Sequence, residues 1–516
     1  MPHWFNTAGP CKPDIHYMLP AAARVPDARP LIEQQAYFVI HAPRQTGKTT
    51  AMTMLARELT ASGRYVAVLL SVEVGAAFNT DPGTAELAIL DEWKNAAKVR
   101  LPADLQPPSW PMETEGQRIR AALQQWAQAA PRPLVLFMDE IDALQDVALI
   151  SVLRQLRSGF ADRPAGFPWS VALIGMRDVR DYKVAAGGSE RLNTASPFNI
   201  KTRSLTVGNF TAEEVAALYA QHTSDTGQIF AAEATALAFA LTQGQPWLVN
   251  ALAKVAVEEL APEPIHPITA DHIEQAKEIL IQRQETHLDS LAERLREPRV
   301  RQIIEPMLAG QSLGDVSSDD RRFVIDLGLV RRDPERGLVI ANPIYQEIIP
   351  RVLAGGAADS LPFLRPTWLT AGGKLDPTRL LEAFLAFWRQ HGQPLLRSAP
   401  YHEVAPHLVM MAFLHRVANA GGTLEREYAI GSGRMDLLLR YKEVRLAIEL
   451  KTWRPGEQDP LAQGLAQLDG YLAGLGLETG WLVIFDQHPG LPPISERTSA
   501  AEGVTPAGRG VTVIRG

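Results

Sequence analysis

Tyr37-Phe-Val-Ile-His-Ala-Pro-Arg-Gln-Thr-Gly47-Lys48-Thr49-Thr50 is the stretch that decides the fold of the first part of the chain. Tyr37–His41 is a short apolar run and reads as a buried strand. Pro43 and Gly47 break the run into a loop. Ala51–Gly63, AMTMLARELTASG, then reads as a helix. Strand, loop ending in Gly-Lys-Thr and helix together make a phosphate-binding loop. Its backbone N–H groups and the positive end of the helix suit a polyphosphate. Pro43, Arg44, Gln45, Thr46, Gly47, Lys48, Thr49 and Thr50 are the expected cradle. Lys48 would reach the β- and γ-phosphates, and Thr49 would ligate Mg²⁺. Ala42 stands where such a loop usually begins with glycine, which bears on the loop's geometry.

A second apolar run, Pro133–Met138, ends in Asp139-Glu140-Ile-Asp142. A carboxylate at a strand end suits the second Mg²⁺ ligand, here Asp139. The carboxylate after it, Glu140, suits the general base that activates water. The run Val171–Ile174 reads as a further strand. It ends in Gly175-Met-Arg177-Asp178, making Arg177 a sensor candidate near the γ-phosphate. Thr211 and Glu214 form a capping box at the start of a helical region. That region runs on to Gly244-Gln-Pro246-Trp247, a turn or a lid element over the nucleotide. Tyr17, ahead of the first strand, either stacks on a base or packs in the core.

The other chemistry-bearing stretch is Gly433–Trp453, GRMDLLLRYKEVRLAIELKTW. Two apolar runs flank the charged turn Lys442-Glu443, as in a hairpin. Alternation puts Glu449 and Lys451 on one face of their strand, and Asp436 on the neighbouring strand can reach it. Two carboxylates and an ammonium on one sheet suit Mg²⁺-assisted phosphodiester chemistry. The bland alternative is an exposed ion pair at a strand end. Downstream, Gln467 and Tyr471 are spaced to share a helix face. Upstream, Glu403 begins a helical stretch, and Glu425 and Glu427 lie on a predicted strand.

Asp436…Glu449-x-Lys451 with Gln467-x-x-x-Tyr471 resembles the PD-(D/E)XK nuclease superfamily, the restriction-endonuclease-like fold. The resemblance implies Glu403, Asp436 and Glu449 as metal ligands. It implies Lys451 as the residue that orients water, with Gln467 and Tyr471 supporting the site. The phosphate loop and Asp139-Glu140 resemble the additional-strand P-loop ATPases. Taken with Gly244–Pro246, they resemble prokaryotic STAND and AAA-like ATPases that carry a winged helix and a C-terminal nuclease-fold domain.

The fold class expected on these grounds is multidomain α/β. The expected divisions are a P-loop ATPase core over residues 1–205 and a helical lid with a long helix over 206–297. A winged-helix-like segment over 298–355, a connector over 356–394 and a nuclease-like domain over 395–516 follow. The long helix is expected over Ala270–Arg296, ending before Pro298. Pro489–Gly510 reads as a partly loose tail, with a possible edge strand after it.

Composition narrows the classes further. The 516 residues carry a net charge of −7, with 46% hydrophobic content. The pI is about 6.0 and mean hydropathy −0.08. A charge of that sign is not that of a general nucleic-acid coat. Seven arginines between Arg299 and Arg336 are matched by seven nearby acids, where a DNA-reading winged helix would show a basic surplus. The single cysteine, Cys11, rules out an internal disulfide. The histidines lack metal-binding spacing. No apolar run approaches the ~20 residues of a membrane span, and no leader is apparent. The expectation is a cytoplasmic protein using ATP and Mg²⁺, with DNA as partner, no membrane, and homo-oligomerisation open. Two function classes stand: an ATP-regulated DNA endonuclease serving defence or mobile-element control, or a signalling ATPase whose nuclease-fold domain binds DNA or protein without cutting.

Overall fold

The computed structural model describes residues 3–516 except 21–23, 178–199, 284–293, 309–312, 335–336, 350–352, 354–365, 371, 399–404, 419–421 and 428–435. The five segments expected from composition group into two compact units. One is Met1–Arg283 with Arg322–Arg331; the other is Gln284–Arg321 with Arg332–Gly516.

The first unit is built on a parallel sheet. Its strands are β1 (Tyr37–His41), β2 (Val66–Ser71), β3 (Leu134–Asp139), β4 (Ser170–Gly175) and β5 (Lys201–Thr206), in the order β2-β3-β4-β1-β5. All neighbours pair in parallel. Strands β3 and β4 are buried along their whole length, which is why they read as unbroken apolar runs. Alternation along β1 sends Tyr37 and Val39 to one face, Phe38 and Ile40 to the other. Helices α2 (Pro82–Arg100), α3 (Arg118–Ala129) and α4 (Asp146–Gly159) cover the first face, with Trp93, Trp126 and Leu153 in its core. Helix α1 (Lys48–Ala61) and the short helix Ala28–Glu33 cover the second. The result is an α/β/α core in which β1 and β3 deliver their C-terminal loops to the same edge, separated by β4.

Four helices follow, in the segment expected as a lid and a long helix: α5 (Ala212–Thr226), α6 (Ala232–Thr242), α7 (Pro246–Val255) and α8 (Ala270–Arg283). The capping box at Thr211 forms as its sequence predicts. Gly244 has φ +69°, and a Cβ there would sit 1.9 Å from the Phe210 carbonyl oxygen. The Gly244 carbonyl accepts the Phe210 N–H at 2.8 Å, so the turn is locked to the start of the lid. Pro246 occupies the first turn of α7, where its missing N–H leaves no helical bond unmade. Helix α8 is described to Arg283; the expected continuation to Arg296 falls largely outside the described residues.

In the second unit, α9 (Pro298–Leu308) precedes α10 (Ser318–Asp326), whose last residues group with the first unit. The two-stranded ladder of β6 (Val330–Asp333) and β7 (Gly337–Ile340) comes next. Helices α11 (Pro377–Ser398) and α12 (Ala405–Ala418) lead into a six-stranded mixed sheet. Its strands are β8 (Gly422–Glu427), β9 (Asp436–Tyr441), β10 (Val444–Trp453), β11 (Thr479–Asp486), β12 (Ser499–Val504) and β13 (Gly510–Arg515). Their order is β12-β13-β11-β10-β9-β8. Strands β8, β9 and β10 form an antiparallel meander, and α13 (Leu461–Leu475) crosses over to make β11 parallel to β10.

The tail departs from its expected looseness. It forms a short helix, Ile494–Arg497, and two strands. The strand after Gly510 lies inside the sheet, between β11 and β12, and not at its edge. Val511 and Ile514 are buried there, whereas the polar β12 is almost wholly exposed and serves as the edge.

Candidate nucleotide site and candidate metal centre

Gly47 takes φ +86° immediately before α1, a conformation open to glycine at little cost. The loop therefore turns its N–H groups towards the helix axis. Ala42 has no positive φ; the left-handed positions in the loop are Gln45 and Gly47. The absent first glycine thus costs the loop no backbone strain. The Lys48 ammonium donates to the carbonyls of Ala42 at 2.8 Å and Pro43 at 2.7 Å, spanning the loop.

The Thr49 hydroxyl donates to Asp139 Oδ2 at 2.7 Å, which brings together the two oxygens expected at a hard cation. Asp139 Oδ1 accepts the Glu140 N–H at 3.0 Å. Glu140 itself is left-handed, with φ +58° and ψ +38°. Burial pushes the Asp139 and Glu140 carboxyls up, and Asp142 adds to the effect on both. Burial pushes Lys48 down, against the pull of Asp142, Asp139 and Glu140. The Thr49 hydroxyl and the Asp139 carboxylate, 2.7 Å apart, are an oxygen pair of the kind that suits Mg²⁺.

These residues line a cavity of ≈ 580 Å³. Its lining also takes in the N-terminal segment and the helices after β5, at Thr7, Cys11, Tyr17, Trp247 and Asn250. Two bonds fix these segments. The Cys11 N–H donates to Thr50 Oγ1 at 3.0 Å, and the Trp247 indole donates to the Thr7 carbonyl at 2.9 Å. Tyr17 is packed in an aromatic cluster, 4.8 Å from the Phe5 ring, with its hydroxyl 3.2 Å from His222 Nδ1. Burial pushes its phenol up to about 12. Arg177 follows β4, but its guanidinium lies 4.9 Å over the Phe323 ring, and it does not line the cavity.

Arg24 gave no signal in the sequence. Its Nη2 donates to the carbonyls of Thr46 at 3.2 Å and Gly208 at 2.7 Å, and its guanidinium lies 4.5 Å over the Phe210 ring. It ties the phosphate loop to the start of the lid. Its Nη1 lies 3.6 Å from Glu214 Oε2 at the start of α5. No local motif marks it, because these partners are far away in the chain.

The second site lies in the mixed sheet. Asp436 and Glu449 pair directly across β9 and β10. The Glu449 side chain is completely buried, with Lys451 Nζ 2.5 Å from its Oε1. Ala447 packs in the core under α13, so Glu449 and Lys451, two and four residues on, share that face. Gln467 and Tyr471 stand on α13, and Tyr471 packs in the same core. The opposite face carries Thr452, whose hydroxyl is 3.2 Å from Nε2 of the buried His407 on α12. Glu403 and the side chains of Asp436, Glu425 and Glu427 lie outside the described residues. Among the described residues, no cluster of three or more His, Cys, Asp or Glu side chains gathers as a metal site.

Residues 32–182 match the family of the AAA domain. No curated protein matches the chain. Among solved structures, the chain is similar to the Walker-type ATPase PABY2304 of Pyrococcus abyssi at 13% identity. That match covers 67% of this chain and 99% of the other, with a TM-score of 0.44. It is also similar to the ORC2 protein of Aeropyrum pernix at 14% identity, over 66% and 94% of the two chains, with a TM-score of 0.40. The RuvB Holliday junction branch migration motor of Thermotoga maritima matches at 15% identity, over 64% and 92%, with a TM-score of 0.34. The first unit holds an α/β P-loop ATPase core of AAA type. No described helix is long and apolar enough to cross a membrane.

Proposed function

We propose that this protein is a nucleotide-regulated, Mg²⁺-dependent DNA endonuclease, with ATP turnover in the first unit and phosphodiester cleavage in the second. The observation that carries the nuclease half is the wholly buried Glu449 carboxylate, paired to Lys451 and set opposite Asp436. Burying a charge this deeply is costly unless something binds it. One ammonium satisfies one oxygen. The other carboxylate oxygen has no hydrogen-bond donor among the described residues, as expected of a group that takes a cation.

In the ATPase, Lys48 and the N-terminal amides of α1 would bind and orient the phosphates. Thr49 and Asp139 would hold Mg²⁺, which supplies charge neutralisation at the β- and γ-phosphates. Glu140 would accept the proton of the attacking water; its raised affinity for protons suits that task near neutral pH. In the nuclease, Asp436 and Glu449 would hold the cation. Lys451 would orient water, and Gln467 would steady the phosphate. Arg24, bonded to both the phosphate loop and the lid, is the residue through which nucleotide state would reach the lid helices.

The test is cleavage of linear, circular and single-stranded DNA by the full chain with Mg²⁺, with and without ATP, beside Lys451→Ala. Cleavage lost in the variant, with ATP hydrolysis intact, supports the proposal. A second reading has its own observation. The arginine-matched acids between residues 299 and 336 favour a scaffold that signals without cutting. Absence of cleavage under every nucleotide condition would favour it.

A further inference from the structure

We infer that Asn250 selects adenine over 6-oxopurines at the nucleotide site. The inference rests on the cavity being the ATP site proposed above. Phosphates bound at Lys48 and Thr49 leave the base to the rest of the cavity, which the N-terminal segment and α7 also line. Pro10, Tyr17, Leu19, Pro246 and Trp247 there suit the faces of a base and are silent about its edge.

Outside the phosphate loop, two amide side chains also line it. Asn6 is engaged in its own loop, its Oδ1 accepting the Ala8 N–H at 3.1 Å and its Nδ2 donating to the Gly9 carbonyl at 3.0 Å; Asn250 keeps an acceptor over. It stands one turn into α7 after Pro246, lines the cavity and is only 7% exposed. Its Nδ2 donates to the Pro246 carbonyl at 2.8 Å. That bond fixes the orientation of the amide, since only the nitrogen can donate to a carbonyl. The remaining polar atom, Oδ1, is buried and has no hydrogen-bond partner. An orphaned buried acceptor is destabilising until a donor arrives.

The donor it calls for is an amine. Adenine carries an exocyclic amine at C6, whereas guanine and hypoxanthine carry a carbonyl oxygen there. Two acceptors face to face would leave both unpaired and add repulsion. Turning the amide over to donate would give up its bond to Pro246. Gln245, just before α7, is constrained in a similar way. Its Oε1 accepts the Leu248 N–H at 2.6 Å, and its Nε2 is buried without a partner. It does not line the cavity, so the selection is assigned to Asn250.

ITP is the probe, because it keeps the ribose and triphosphate of ATP and replaces the C6 amine by oxygen. Dissociation constants for ATP and ITP are measured on the full chain by competition with a fluorescent ATP analogue. The wild type should prefer ATP by about tenfold or more. Asn250→Leu, of similar size but with no acceptor, should bring the ratio close to one. Asn250→Asp keeps an acceptor and should keep the preference, whatever its effect on folding. A merely structural asparagine would lower both affinities together in Asn250→Leu and leave the ratio unchanged, which overturns the inference. A wild type that binds both equally overturns it as well. A wild type that binds neither nucleotide overturns the ATP site itself, and is told apart by that failure.

Discussion

Asp436 and Glu449 occupy directly opposed positions in the antiparallel ladder of β9 and β10, with Lys451 two residues beyond on the same strand. Opposed positions place Cβ atoms about 5 Å apart on one face. Thirteen residues of sequence are thereby folded into one site by a tight hairpin around Lys442-Glu443.

Removing the Glu449 carboxylate should cost stability and end cleavage. Breaking a buried pair from one side leaves the other charge without its partner. Lys451 is 14% exposed and can turn partly to water, so Glu449→Gln should lower the denaturation midpoint in EDTA by a modest amount while abolishing DNA cleavage with Mg²⁺. A midpoint raised above that of the wild type would mean the carboxylate is not held by its pairing to Lys451.

Removing Lys451 should cost more stability than removing the carboxylate. Lys451→Met leaves a fully buried carboxylate without its cation and should cost about 3–5 kcal/mol in EDTA. Mg²⁺ or Mn²⁺ should restore part of that loss. Urea unfolding with and without the ion reads the effect; ion-independent unfolding of the variant would argue against metal at Glu449.

Glu140→Gln should bind ATP and fail to hydrolyse it. A general base contributes about 10²- to 10⁴-fold, so turnover should fall by that order with affinity kept. Single-turnover assays and retention of labelled ATP check both halves. Normal turnover would move the base role elsewhere.

Lys48→Ala loses the ammonium that spans the Ala42 and Pro43 carbonyls and, on the proposed role, would reach the phosphates. ATP affinity should fall by about tenfold or more, measured by titration calorimetry. If nucleotide state governs the second unit, the dependence of DNA cleavage on ATP should vanish in the same variant.

Gly244→Val places a side chain where a Cβ would already lie 1.9 Å from the Phe210 carbonyl oxygen, at φ +69°. The lid should lose more than about 1 kcal/mol. A lower melting temperature and weaker ATP binding should appear together, since the lid closes the cavity.

Much of this was legible from local pattern. The phosphate loop, the Asp139 strand end and the Glu449 hairpin are short, contiguous signals in which spacing alone fixes the geometry. Residues whose roles depend on distant partners were not legible. Arg24 meets Thr46 and Gly208, and Asn250 meets a cavity assembled from both ends of the unit. Arg177 was placed correctly at the end of β4, but its direction depends on Phe323, far along the chain. The strand β13 was noticed and set at the wrong position, because a run such as Val-Thr-Val-Ile shows that a strand forms but not which neighbours it finds.

The left-handed backbone of Glu140 bears on how this chain can evolve. For a residue with a Cβ, that conformation costs on the order of 1 kcal/mol, and glycine relieves it. Every glutamate codon is a single base change from a glycine codon. On the role proposed for Glu140, the simplest lesion at this position would fold better than its parent and turn over ATP about 10²- to 10⁴-fold more slowly. Lineages that no longer need turnover should then drift that way readily, and a glutamate kept here would mark selection for hydrolysis.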